Sequence, residues 1–107
     1  MIAKESPSNR EQKIWHIVSL IPKGKVLTYG QVAELSGVGR GARLVGRCLN
    51  KLPKDSRLPW HRVVNAAGKI SLRSHSDSHN EQQYRLEKEG VVLLNGKIDL
   101  SIYKWQP

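Results

Sequence analysis

With 107 residues, 38% of them hydrophobic, the chain is long enough for one folded domain and leaves little room for a second. Its longest unbroken apolar run is the four residues from Val91 to Leu94, far short of a membrane span, and its one cysteine, Cys48, excludes an intramolecular disulfide and any multi-cysteine metal site. Eighteen Lys and Arg against nine Asp and Glu give a net charge of +9, a field that favours a polyanionic partner, nucleic acid first, although a merely well-solvated basic surface carries the same sign.

Residues 1–7 contain no apolar segment of signal-peptide length, so an intracellular location is expected. Ser8-Asn9-Arg10-Glu11 has the S-x-x-E form of a capping box. Ile14, Ile17, Val18 and Ile21 follow at helical spacing, and Pro22 ends the run. The pattern predicts a first helix with one buried stripe. Lys23-Gly24 reads as a turn, and Val26-Leu27 as a short extended piece. Thr28-Tyr29-Gly30-Gln31 is a second capping box, with Val32 and Leu35 as the core face and Gly37 as the terminator. The loop Gly37-Val38-Gly39-Arg40-Gly41 leads to a third helix whose apolar side is Leu44, Val45, Cys48 and Leu49. Two short helices joined by a glycine-containing turn form the helix-turn-helix pattern, which many helix pairs share.

Residues 52–59 read as a polar connection. Val63-Val64 and Ile70 flank Asn65-Ala66-Ala67-Gly68-Lys69, a short hairpin or strand-turn. Residues 71–80 are polar and predict a surface loop, and Ser78-His79-Asn80-Glu81 is expected to cap a last helix that ends at Gly90. Residues 91–94, the pair Asn95-Gly96 and residues 97–100 predict a hairpin with a two-residue turn. Ile102, Tyr103 and Trp105 offer a final patch that would pack on the core. There is no internal repeat and no dividing linker, so residues 1–107 read as a single, mostly α domain with small β elements.

Pro59-Trp60-His61-Arg62-Val63 is the most specific stretch. It resembles the Pro-Cys-His-Arg-Val active-site motif of the O6-alkylguanine-DNA alkyltransferases, with Trp60 in the cysteine position. Other segments agree in order. Ile21-Pro22-Lys23-Gly24-Lys25-Val26 and Thr28-Tyr29-Gly30 resemble the family's Ile-Pro-x-Gly-x-Val and Thr-Tyr-Gly segments. Ala42-Arg43-Leu44-Val45-Gly46 resembles its recognition helix, with Arg43 seventeen residues before Trp60 as the family pattern requires. Leu86-Glu87-Lys88-Glu89-Gly90 resembles its closing segment. The resemblance spans about residues 10–92, the family's DNA-binding domain, and implies a winged-helix-like helix-turn-helix fold of the alkyltransferase C-terminal type. The subgroup with tryptophan at the cysteine position is the alkyltransferase-like proteins.

The resemblance implies binding without transfer. Alkyl transfer needs a thiolate activated by a neighbouring base. Trp60 is an indole with no usable lone pair, and His61 is left with nothing to activate. Leu52 stands where the transferases carry an asparagine, nine residues after Arg43. By resemblance, Arg43 would enter the duplex as a finger and Tyr29 would help to rotate the nucleotide. Trp60, Tyr29, Val63 and Arg73 would line the pocket that receives the base, with Arg73, thirteen residues after Trp60, at its mouth. Thr28, Tyr29, Gly30, Gln31, Ala42, Arg43 and Gly46 would meet the DNA, through the minor groove in this family, and Pro59, His61, Arg62 and Glu89 would support the motif.

The implied partners are double-stranded DNA containing O6-alkylguanine and, beyond it, nucleotide excision repair proteins; the protein is expected to be a monomer with no membrane association. The expected location is cytoplasmic, nucleoid-associated in a prokaryote, or nuclear in a eukaryote. No cofactor is expected. His75 and His79 are four apart, but no third ligand is evident, so no metal is expected. Two other readings compete: a sequence-specific helix-turn-helix regulator, and a residual methyltransferase acting through Cys48 or a partner's thiol.

Overall fold

Val26-Leu27 and Val63-Val64 are the apolar pairs around which the chain assembles. The computed structural model describes residues 9–39, 41–53, 55–72 and 76–107. In it β1 (Leu27–Thr28) and β2 (Val63–Val64) pair in parallel, Leu27 opposite Val63 and Thr28 opposite Val64. Successive side chains of a strand point to opposite faces. Leu27 and Val63 enter one hydrophobic cluster with Ile14, Val18, Ile21, Val32, Ala33, Val45 and Cys48. Val26 and Val64 enter a second, with Ile70, Leu86, Val91 and Ile98. The short sheet is thus a partition between two halves of the core, which is why the pairs Val26-Leu27 and Val63-Val64 are apolar at consecutive positions rather than alternating. Of the hairpin and strand-turn expected at Val63, the strand-turn forms: its pairing partner is β1, and Asn65–Lys69 closes as a turn with Asn65 N donating to the Lys69 carbonyl at 2.9 Å.

Three helices build the first half. α1 (Asn9–Leu20) buries Ile14 and Val18; its expected cap, Ser8, lies outside the described residues. α2 (Tyr29–Leu35) opens on the expected capping box: the Thr28 hydroxyl accepts from Gln31 N at 3.2 Å, and the Gln31 side chain accepts from Thr28 N at 3.1 Å. It closes on Gly37, at φ +80°, with Val38 N reaching the Ala33 carbonyl (3.0 Å) and Gly37 N the Glu34 carbonyl (3.1 Å), a Schellman turn. Leu35 departs from expectation and is 44% exposed. The buried face centres on Val32, Ala33 and Ser36, and Leu35 lies about 200° round the helix from Ala33. α3 (Ala42–Asn50) buries Val45 and Cys48, with Leu44 and Leu49 partly covered, and packs across α2.

The second half begins with a single 3-10 turn, Trp60–Arg62, that delivers the chain into β2. α4 (Asp77–Lys88) starts earlier than expected. Ser76, extended at φ −72° and ψ 159°, is its cap and accepts from His79 N at 3.1 Å, while Ser78 sits within the first turn. β3 (Leu93–Leu94) and β4 (Lys97–Ile98) form the expected hairpin, with Asn95 and Gly96 at φ +51° and +74°. Ile98 N donates to the Gly68 carbonyl at 2.8 Å and ties this hairpin to the Asn65–Lys69 turn. A further helix, α5 (Leu100–Tyr103), was not expected; Asp99 caps it, accepting from Ser101 N at 2.9 Å. The chain then runs beside β1, where Val26 N donates to the Tyr103 carbonyl and Trp105 N to the Val26 carbonyl, both at 2.9 Å. Tyr103 and Trp105 pack on the core as expected, whereas Ile102 is exposed.

Candidate functional site

One face of α3, small or polar at most positions, and one polar face of α4 are set by the fold around a cleft of about 810 Å³. From α3 and the residues after it come Ala42, Arg43, Gly46, Leu49, Asn50, Leu52 and Pro53. Asp77, Ser78, Glu81, Gln82 and Arg85 come from α4. The spacings are those of one helix face in each case. Tyr29, at the start of α2, and Trp60, on the 3-10 turn, complete the walls with Ser71 and Leu72. The Tyr29 and Ser71 hydroxyls are hydrogen-bonded at 2.8 Å, which pins the phenol across the cleft. Ala42 and Gly46 have almost no side chain, so the α3 wall is low and Arg43 stands exposed beside it.

Trp60 is oriented by its neighbours on the 3-10 turn, His61 and Arg62. Its ring meets that of His61 edge to face, with centroids 6.2 Å apart and an interplanar angle of 88°. His61 Nε2 lies 2.9 Å from Glu89 Oε2. Arg62 donates twice to the same carboxylate, Nε to Oε1 at 2.9 Å and Nη2 to Oε2 at 2.6 Å, and its Nη1 donates to the Ile21 carbonyl at 2.8 Å. Such a two-pronged charge-assisted contact fixes geometry as well as adding energy. Glu89 and Arg62 together therefore join the end of α4, the 3-10 turn and the residue that follows α1. Burial works against its ionised form, but the hydrogen bonds from Arg62 and His61 outweigh it and hold its pKa at about 2. Burial pushes the His61 imidazole below its ordinary range in spite of Glu89. An ionised carboxylate only accepts, so Nε2 carries the proton, and Nδ1 is left as a buried acceptor with no partner among the described residues.

The structure thus brings together Trp60, Tyr29, Arg43, Ala42 and Gly46 at the cleft, and His61, Arg62 and Glu89 behind it, with Pro59 at the start of the 3-10 turn. Thr28 and Gln31 are occupied with each other in the capping box, Thr28 buried, and Gly30 is exposed. Val63, expected in the pocket, is fully buried in the core and does not line the cleft. After the 3-10 turn the chain is already in a strand, whose alternation points Val63 inward at Leu27. Arg73 and His75 lie outside the described residues.

The α4 wall was missed in the sequence. Arg85 sets its Cζ 5.5 Å from the centre of the Trp60 ring. Gln82 is buried and donates from Nε2 to the carbonyls of His61 (3.1 Å) and Val63 (3.0 Å), clamping the motif from behind. Their helical spacing was visible, but which face of α4 turns to Trp60 is decided only when Leu86 enters the core. Chemically the cleft can stack and hydrogen-bond a planar guest. No thiol lines it: Cys48 is on the buried side of α3, and burial above all, then the Glu11 charge, pushes its pKa up, away from the reactive thiolate.

Residues 9–91 match the model of the 6-O-methylguanine DNA methyltransferase DNA-binding domain. The chain belongs to this family. Within the O6-methylguanine methyltransferase family it is similar to the DNA base-flipping protein of Escherichia coli (strain K12), 46% identical over 101 residues, which cover 94% of this chain and 78% of that one. Alkyltransferase-like protein 1 of Schizosaccharomyces pombe is 40% identical over 100 residues, covering 89% of this chain and 93% of that one. The crystal structure of S. pombe Atl1 in complex with damaged DNA containing O6-carboxymethylguanine matches with a TM-score of 0.85 at 38% identity, over 96% of this chain and 100% of that one. The expected winged-helix-like helix-turn-helix fold of this family is therefore the fold of the chain, with α2 and α3 as the helix pair and β3–β4 as the wing.

Proposed function

We propose that this protein recognises O6-alkylguanine in double-stranded DNA and does not remove the alkyl group. The observation that carries the reading is the convergence of Trp60, Tyr29 and Arg43 on one cleft. Trp60 stands in the Pro-x-His-Arg-Val segment where the transferases keep their cysteine, so the cleft offers a flat aromatic wall and no thiol. Relatives named as a base-flipping protein and as an alkyltransferase-like protein, and a similar structure that holds damaged DNA, support it.

In this reading α3 enters the minor groove, a groove nearly blind to sequence and so suited to a scanner for damage. Arg43 fills the gap left in the stack while the base turns out past Tyr29 and comes to rest beside Trp60. Extruding a base costs a few kcal/mol, least where damage has already weakened its pairing. The protein acts as a monomer and flags the site for nucleotide excision repair. Titration of duplexes with and without one O6-methylguanine, at matched salt, tests the reading: tighter binding to the damaged duplex is expected, and equal affinity refutes it. Labelled methylated DNA should leave no label on the protein; stoichiometric label would restore transfer.

A further inference from the structure

Arg85 sits over the Trp60 ring in the cleft. Its guanidinium carbon lies 5.5 Å from the centre of the Trp60 ring, and both side chains line the cleft. Atoms of two stacked groups approach to about 3.5–4 Å, so a third flat group inserted between them needs a separation of roughly 7 Å. A base cannot slip between Trp60 and Arg85 as they stand. Glu81, one turn back on α4 and also at the cleft, holds Arg85 in position, with Arg85 Nε donating to Glu81 Oε2 at 2.7 Å.

We propose that Arg85 limits base capture by covering Trp60 while the cleft is empty, so that an entering base must displace it. The inference rests on the reading of Trp60 as the wall that receives the base. A cation over an accessible aromatic ring and an i,i+4 ion pair are each modest contributions. Together they shift the capture equilibrium about fivefold toward the empty state. A shift of that size leaves capture of a damaged, badly paired guanine favourable. It pushes capture of an ordinary base, already uphill by the cost of unstacking, further out of reach. Arg85 therefore disfavours capture of every base alike and lowers the captured fraction most for the undamaged ones, which are the great majority met in scanning.

The test uses a fluorescent base analogue placed in otherwise undamaged duplex, read at saturating protein so that a lost positive charge, which weakens all DNA binding, does not enter. Arg85→Ala should raise the extruded fraction of the analogue by up to about fivefold. Glu81→Gln, which frees the guanidinium without removing it, should raise it by less. An unchanged fraction in Arg85→Ala, or a fall, overturns the proposal, the fall meaning that Arg85 grips the base instead of covering its seat. A parallel titration of the wild-type protein with O6-methylguanine and plain duplexes separates the two ideas. Equal affinities there bring down the lesion reading itself. Clear discrimination there, with no rise in Arg85→Ala, brings down the covering role alone.

Discussion

Trp60 and Arg43 face the same cleft with different chemistry, so removing each should be felt differently. Stacking of a base on an aromatic side chain is worth about 1–3 kcal/mol, roughly fivefold to more than a hundredfold in affinity. Trp60→Ala should lower the ratio of damaged to plain duplex affinity by that amount and leave plain duplex binding nearly unchanged, because the indole carries no charge. Arg43→Ala should weaken both, since a cation is lost, and should also abolish extrusion. Titrations of both variants on both duplexes decide it; a Trp60→Ala protein that weakened the two equally would remove the indole from the pocket. These residues were legible because the motif fixes their spacing along the chain. Val63 was misplaced for a related reason: it is next to the motif in sequence, but strand alternation turns it away from the cleft and into the core. Arg85 is twenty-five positions beyond Trp60, and no local signal joins the two.

At the scale of elements, what was legible was what is local. The Thr28–Gln31 capping box and the Asn95-Gly96 turn are each written in a few consecutive residues, and both form. The parallel pairing of β1 with β2 joins residues thirty-six apart and carries no consecutive signature, and the Ser76 cap and α5 depend on choices between neighbouring candidates. The contact of α4 with the 3-10 turn is likewise long-range, yet its chemistry gives a sharp expectation. Unfolded, Glu89 titrates near 4.5; folded, it is held at about 2. Its stabilisation is therefore complete above the unfolded value and lost as the pH falls from 4.5 towards 2, on the order of 3 kcal/mol for a group this well covered. His61 acts in the same direction at higher pH. Held neutral in the fold, it disfavours folding once the unfolded chain takes up a proton below about 6.5. Thermal melts from pH 8 to pH 2 should show stability declining in these two windows. Glu89→Gln should lower the melting temperature at neutral pH, by about 4–8 °C for each kcal/mol lost. It should also lose the slope between 4.5 and 2; a variant that kept that slope would place its origin elsewhere.

For the whole molecule the net charge of +9 and the cleft answer separate questions. In the proposed reading charge governs how tightly any duplex is held, and the cleft governs which base stays. Each phosphate neutralised releases counterions, so the logarithm of the binding constant falls with the logarithm of salt at a slope of about −0.9 per phosphate. In the proposed reading a base resting against Trp60 and Tyr29 adds stacking and hydrogen bonds to a nucleotide whose phosphate neighbours α3 already engages. Plots for O6-methylguanine and plain duplexes should therefore be parallel lines displaced by a constant, with the discrimination ratio unchanged by salt while both affinities fall by orders of magnitude. Arg43→Ala should make both lines shallower by about one phosphate. Trp60→Ala should bring the two lines together without tilting either. A steeper line for the damaged duplex alone would mean that capture enlists further phosphates, and recognition would then belong to the bending of the DNA over the basic surface rather than to the cleft.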